Sequence, residues 1–320
     1  MLNGEVTHKW GIVGTGNIAS AFARSFRSVD DAAIVAVSSR TKEAAGEFAR
    51  THGIGVAHGS LDDMCSDTAV DCVYVAGINT VHADTTVRLL EAGKHVLVEK
   101  PIAMTLDDVD RMIAASRLHD RFLMEAMWMR FNPLHVALVE RIKEGEFGKV
   151  ISVESDFSFD RGYDPGHRLF DPAKGGGSLV DVGIYPLTLA WWLLGEPHSA
   201  TSTVERVASG VDGRVSLDLA WDGGATAQLT CGSVAEGPRT SRIVCERAEV
   251  LIPAPSHAAC SAVVLVDGVS QEVAAEAASL HHQVAEVHRC ADAGLRESPR
   301  MSHADSRAVL AFMLSILEPR

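Results

Sequence analysis

The run Trp10-Gly11-Ile12-Val13-Gly14-Thr15-Gly16-Asn17-Ile18-Ala19 sets the reading of the whole chain. Its first residues have the apolar density of a short buried strand, and they lead directly into a G-x-G-x-x-A turn from Gly14 to Ala19. Ile18, Phe22 and Phe26 then recur every fourth residue, which predicts a helix, and Ala32 to Val37 reads as a second strand. Strand, glycine turn, helix and strand within about 30 residues is the context that a dinucleotide fingerprint requires. Each small residue has a reason. Gly14 permits the tight turn, Gly16 leaves room for backbone N–H groups to approach a pyrophosphate, and Ala19 lets the helix lie close on the sheet. The helix N-terminus adds unpaired donors and partial positive charge. Gly14, Thr15, Gly16, Asn17 and Ile18 are therefore the expected phosphate contacts.

The end of the second strand speaks to the kind of dinucleotide. Proteins that bind NAD place an acidic residue about 20 residues after the glycine turn, on the ribose 2′-hydroxyl. Here Ser38-Ser39-Arg40 stands at that place, and no Asp or Glu occurs between Asp31 and Glu43. A guanidinium and two hydroxyls suit a 2′-phosphate, which a carboxylate would repel. The expected cofactor is NADP(H). The other reading of Arg40 is a side chain that merely opens a solvated helix.

Strands then alternate with helices. Helices are expected over Lys42–His52, after the capping signal at Ser60, over Val81–Ala92 with Gly93 closing it, and from Thr105 to His119. Strands are expected at Asp71–Gly77, Lys94–Val98 and Phe122–Glu125. The fold class is α/β, an N-terminal Rossmann domain with a parallel, doubly wound sheet. Ligands bind at the carboxyl ends of such strands, which places Gly77 to His82, Glu99 to Pro101 and Ala126 to Arg130 along one rim. Lys100, at a strand's exit, is expected to face the cleft; its bland reading is a salt bridge with Glu99.

Beyond Asn132 the texture changes. A linking helix over Pro133–Gly145, a strand over Val150–Phe159 and an irregular stretch from Asp160 to Lys174 precede Gly175-Gly176-Gly177-Ser178-Leu179-Val180-Asp181-Val182-Gly183-Ile184-Tyr185. Asp181 and Tyr185 are four apart and share one face of the helix that follows, although Pro186 leaves that helix's boundary open. Alternation over Val215–Asp222 and Ala225–Gly232 gives strands with one apolar face, and helices return at Ser279–Ala293 and Ser302–Glu318. The second domain is expected to be α+β with a large, mostly antiparallel open sheet. The boundaries are residues 1–128 for the cofactor domain and 129–320 for a substrate and oligomerisation domain, with the helix at 302–318 packing back on the first.

Length and composition are consistent with two domains. At 320 residues with 47% apolar residues, the chain can bury sizeable cores. A formal net charge of −13 argues against nucleic acid and anionic membranes as partners. No apolar run is expected to span a bilayer, and Met1 to Val6 is too short and polar for a signal peptide. Six cysteines show no C-x-x-C pair and no metal spacing. They read as free thiols in a reducing, cytoplasmic compartment, with no metal site.

An acid–base set is available in Lys100, Asp181 and Tyr185. A tyrosine hydroxyl has an unperturbed pKa near 10, which a neighbouring ammonium lowers toward a working pH. On spacing alone the blander reading is favoured, with Asp181 a helix-face carboxylate and Tyr185 a packing residue.

A resemblance alters that balance. Gly14-x-Gly16-x-x-Ala19, Ala92-Gly93-Lys94-His95-Val96-Leu97-Val98-Glu99-Lys100-Pro101 and the Gly175 to Tyr185 motif together resemble the glucose–fructose oxidoreductase / inositol dehydrogenase (Gfo/Idh/MocA) family over essentially the whole chain. Leu123 to Phe131 further resembles its dihydrodiol dehydrogenase and NADP-dependent xylose dehydrogenase branch. The resemblance implies that Lys100 lies at the hydride-transfer site, that Asp181 is the motif aspartate and that Tyr185 is the proton donor. It implies cofactor contacts for Asn79, His82, Glu99 and Lys100; Gly77-Ile78 departs from the family's Thr-Pro there. It also implies a substrate contact for Arg168. Trp128 and Tyr163 join it as pocket candidates, Trp128 being equally readable as core filling. The implied activity is NADP(H)-dependent hydride transfer at a carbinol carbon of a sugar, polyol or cyclic diol. The implied assembly is a homodimer or homotetramer through the open face of the second sheet. The rival reading is a non-enzymatic, NADP-sensing regulator of the same family.

Overall fold

The computed structural model describes residues 7–318, so the reading of Met1 to Val6 lies outside the described residues. The chain forms two compact units, one reaching to Trp128 and including Ser279–Arg307, the other Met129–Ala278 with the chain from Ala308 onward.

The first unit alternates β1 (His8–Val13), α1 (Asn17–Ser25), β2 (Ala32–Ser38), α2 (Lys42–His52), β3 (Val56–His58), α3 (Leu61–Ser66), β4 (Cys72–Val75), α4 (His82–Glu91), β5 (His95–Val98), α5 (Leu106–His119) and β6 (Leu123–Glu125). Among the described residues these strands make a six-stranded sheet in the order β3-β2-β1-β4-β5-β6, and each paired strand runs parallel to its neighbour. The order reverses between β1 and β4, which is where a doubly wound sheet opens its crevice. Trp10, Ile12, Val73, Tyr74, Val96 and Leu97 are fully buried, as strands covered on both faces must be. Local signals set the helix ends. Thr41, Ser60 and Thr105 each accept a hydrogen bond from a backbone N–H three residues on, which caps α2, α3 and α5.

The second unit holds α6 (Pro133–Lys143), β7 (Val150–Ser158), α7 (Ile184–Leu194), β8 (Ser199–Arg206), β9 (Asp212–Ala220), β10 (Thr226–Gly232), β11 (Ser241–Cys245), β12 (Ala248–Ile252), β13 (Ser261–Val266) and β14 (Val269–Ala274). Among the described residues its eight strands are ordered β14-β13-β12-β11-β7-β10-β9-β8. Neighbours are antiparallel except β7 and β10, which pair in parallel. A π-helical turn, Leu179–Gly183, leads into α7. Pro186 is the third residue of α7, which continues the π-helical turn, so the helix begins before the proline rather than after it. α8 (His281–Asp292) belongs to the first unit and α9 (His303–Leu317) begins there, with His303 Nε2 2.9 Å from Leu123 O and Arg307 paired with Asp110 at 2.7 Å. Farther along α9, Phe312 meets Trp191 edge-on in the second unit.

Two expectations need amendment. β3, β8 and β11 to β14 were not legible as strands, because short or half-exposed segments pair only once a neighbour supplies the ladder. One stretch, Pro172–Leu194, does prove long and apolar enough to cross a bilayer by length and composition. It is 83% buried over its most apolar window, as the core helix of a folded unit is. All six cysteines are free thiols.

Candidate active site

At the end of β1 the chain turns through Gly14, whose φ of +111° is left-handed backbone, and a Cβ there would stand 2.6 Å from Ala76 O. Glycine is required at that point because β1 and β4 converge on it. Gly16 differs: nothing lies within 4 Å of where its Cβ would be. It opens α1, which has no side-chain cap and no acidic residue in its first turn. An uncapped helix start with unfilled space before it suits the pyrophosphate of a dinucleotide. Thr15, Asn17 and Ile18 complete the turn, and Thr15 Oγ1 lies 3.3 Å from Ser39 Oγ, joining the turn to the exit of β2.

The 2′-phosphate candidates separate in the structure. Arg40 is exposed and makes no ion pair among the described residues, and Ser39 is half-buried beside it. Ser38 differs from them in burial. It is 2% exposed and its hydroxyl donates to Ser60 O at 2.8 Å, so it ties β2 to the start of α3.

Three buried side chains clamp the backbone around Lys100. Glu99 Oε2 accepts Lys100 N–H at 3.2 Å, while its Oε1 accepts the Tyr74 hydroxyl. His82 Nδ1 lies 2.9 Å from Pro101 O, and its Nε2 lies 3.3 Å from Gly77 O. Glu125 Oε1 accepts Ile102 N–H at 2.9 Å. The peptide bond between Lys100 and Pro101 is cis. Lys100 itself is half-buried at the strand exit. Two of the expected cofactor contacts have their side-chain polar atoms engaged with the protein. His82 is wholly buried with both ring nitrogens on carbonyl oxygens, and Glu99 is 5% exposed with both oxygens engaged, so both shape the loop from behind. Burial holds the His82 imidazole below its ordinary pKa, so its neutral ring donates one N–H, and the shorter contact assigns it to Pro101 O. Asn79, 7% exposed, opens the short 3₁₀ turn before α4.

In the second unit the triple glycine solves a packing problem. Gly177 has φ +133°, and a Cβ on it would fall 2.4 Å from Asp212 Oδ1. Asp212 Oδ2 accepts Leu179 N–H at 2.6 Å, capping the π-helical turn that carries Asp181. Burial pushes the Asp212 carboxyl up to about 6. The Asp181 side chain is 8% exposed and pairs with the half-exposed Arg168, Nη1 to Oδ1 at 3.0 Å and Nη2 to Oδ2 at 3.4 Å. Tyr185, 7% exposed, packs its ring on Phe157 at 5.5 Å and His257 at 4.9 Å between centroids. Tyr163 is 43% exposed and meets Phe170 edge-on at 5.2 Å. Trp128 is the last residue of the first unit before the division at Met129 and opens a 3₁₀ turn.

Sequence reasoning missed Glu125, Asp212, Phe157 and His257. The register of β5 and β6, which sets Val98 beside Glu125, is what brings that carboxyl to the Lys100 turn. Asp212 and His257 carried no local signal, being brought in by strand pairing and a distant loop.

A family profile described as "Oxidoreductase family, NAD-binding Rossmann fold" matches residues 8–127, and the GFO/IDH/MocA C-terminal domain matches residues 135–251. The chain belongs to the Gfo/Idh/MocA family. It is an oxidoreductase whose first unit is the family's NAD-binding Rossmann domain. It is similar to a Danio rerio protein named trans-1,2-dihydrobenzene-1,2-diol dehydrogenase, 34% identical over 96% of this chain and 94% of the other. Among solved structures it resembles an aldose-aldose oxidoreductase from Caulobacter crescentus complexed with glycerol, with TM-score 0.87, 26% identity and coverage of 97% and 96%. A 3-ketoreductase from Actinomadura kijaniata, in complex with TDP-benzene and NADP, shares the fold at TM-score 0.83 and 22% identity over 97% and 96%.

Proposed function

We propose that this protein is an NADP(H)-dependent oxidoreductase acting on a CH–OH group of a sugar, polyol or cyclic diol. Tyr185 is the acid/base for the carbinol oxygen, assisted by Lys100. The observation that carries the reading is Lys100, presented at the exit of β5 on a turn that Glu99, His82 and Glu125 hold from behind. The cofactor supplies or accepts the hydride. Tyr185 exchanges the proton, the Lys100 ammonium stabilises negative charge as it develops on oxygen, and Asp181 orients the reacting hydroxyl. Preference for NADP(H) rests on the exposed Arg40 with Ser39 and Thr15, and on the lack of any carboxylate between Asp31 and Glu43. The names of the relatives, a dihydrodiol dehydrogenase and an aldose-aldose oxidoreductase, support the substrate class. A cytoplasmic protein that self-associates through the open face of its larger sheet completes the reading.

The test is a spectrophotometric screen of NADP⁺ reduction over aldoses, inositols and cyclic diols, with NAD⁺ in parallel. With the best substrate, Lys100→Ala and Tyr185→Phe should each lower turnover by at least about 100-fold while NADPH still binds. Near-wild-type turnover in both variants overturns the assigned roles. Tight NADPH binding with no turnover across the panel favours the dinucleotide-sensing regulator instead.

A further inference from the structure

Lys100, Pro101 and Ile102 are three consecutive residues whose main-chain polar groups are each taken by a buried ionisable side chain from a different element. Glu99, at the exit of β5, holds Lys100 N–H; His82 of α4 faces Pro101 O; Glu125, the last residue of β6, holds Ile102 N–H. Glu125 is the unusual member. Its carboxyl is 3% exposed, it bonds Ser306 of α9 as well as Ile102, and the charges acting on it include Glu99 and Lys100. A carboxyl so placed meets opposed demands. Loss of water and the neighbouring carboxylate favour its neutral form, while the ammonium and two hydrogen bonds favour its charged form. We propose that Glu125 is a positioning residue for Lys100, its carboxyl anchoring the turn beyond the proline and its charge acting on the Lys100 ammonium. The proposal rests on the catalytic role given above to Lys100 but reads out without turnover. Burial pushes Glu125 up to about 7, so the charge behind Lys100 changes within the range where the enzyme would work. The facing groups are Glu99 and Lys100 at the exit of β5, Tyr74 of β4 through Glu99, His82 of α4 through Pro101, and Ser306 of α9.

The experiment follows Lys100 directly in the full-length, cofactor-free protein, by ¹³C NMR after reductive methylation of lysines, with Lys100→Arg assigning the signal. Glu125→Gln keeps an oxygen for Ile102 N–H and removes the charge. The wild-type Lys100 signal should show a small step near pH 7 and a main titration at higher pH. In Glu125→Gln the step should vanish and the main midpoint should fall by about half a pH unit or more. Superimposable curves overturn the proposal. A second measurement needs no variant: the Ile102 amide signal of the wild-type protein should titrate with the same midpoint near 7, and a flat signal from about pH 6 to about pH 8 overturns it equally. Failure of the catalytic reading looks different. If Lys100→Ala keeps full turnover while the Lys100 signal still responds to Glu125→Gln, the coupling stands and the catalytic role falls.

Discussion

The missing Cβ of Gly14 and the carbonyl oxygen of Ala76 are separated by what would be only 2.6 Å. That contact ties the first turn of the Rossmann unit to the end of the neighbouring strand, at the point where strand order reverses. Gly14→Ala would need left-handed backbone at an L residue and a backbone shift at Ala76. It should destabilise the first unit by about 2 kcal/mol or more and abolish cofactor binding. Gly16→Ala meets nothing within 4 Å, so it should leave the melting temperature nearly unchanged and weaken NADPH binding selectively. Thermal melts beside fluorescence titration with NADPH check both. A Gly16→Ala protein that binds NADPH like wild type would show that the pyrophosphate lies elsewhere.

Arg40 should determine cofactor choice. It is exposed, and its guanidinium makes no ion pair among the described residues. Arg40→Ala should raise the Kd for NADP⁺ about tenfold or more, a loss of about 1.4 kcal/mol, and leave the Kd for NAD⁺ within about twofold. Equal weakening of the two cofactors would place Arg40 outside the 2′-phosphate contact.

Glu125 also predicts a pH dependence of stability. Its folded pKa is raised from 4.5 to about 7, mainly by burial, so between those values the folded protein holds a proton that the unfolded chain has released. Stability from this group is therefore present at low pH and is lost as pH rises through that window, at up to about 1.4 kcal/mol per pH unit. Urea unfolding of wild type and Glu125→Gln across the window should show the difference in stability changing with pH in that sense. A difference that is constant with pH would contradict it.

Asp212 should matter for stability well beyond its own strand. Its Oδ2 accepts Leu179 N–H at 2.6 Å, and its Oδ1 fills the space left by Gly177. Asp212→Ala leaves a buried N–H without an acceptor and should cost about 1–3 kcal/mol. Asp212→Asn, which retains an oxygen, should cost less. Denaturation midpoints decide the order of the two.

The sequence by itself determined the first unit almost element by element. Short apolar strands, capped helices and glycine turns are local signals, and a parallel sheet with helical crossovers is the arrangement that satisfies them. It also determined the motifs at Gly14, Lys100 and Asp181, because each sits where an element begins or ends and carries a residue type its neighbours do not explain. Much of the second unit was less legible. β11 to β14 are short and partly exposed, and their stability comes from partners far along the chain. Only the tertiary structure decided what stands behind the motifs. It gave the side chains of Ser38, His82 and Glu99 main-chain partners within the fold, and it brought Glu125 to Ile102 and Asp212 to Leu179. The physical reason is that burial and hydrogen-bond partners are set by strand register and packing across tens of residues. Spacing along the chain does not encode them.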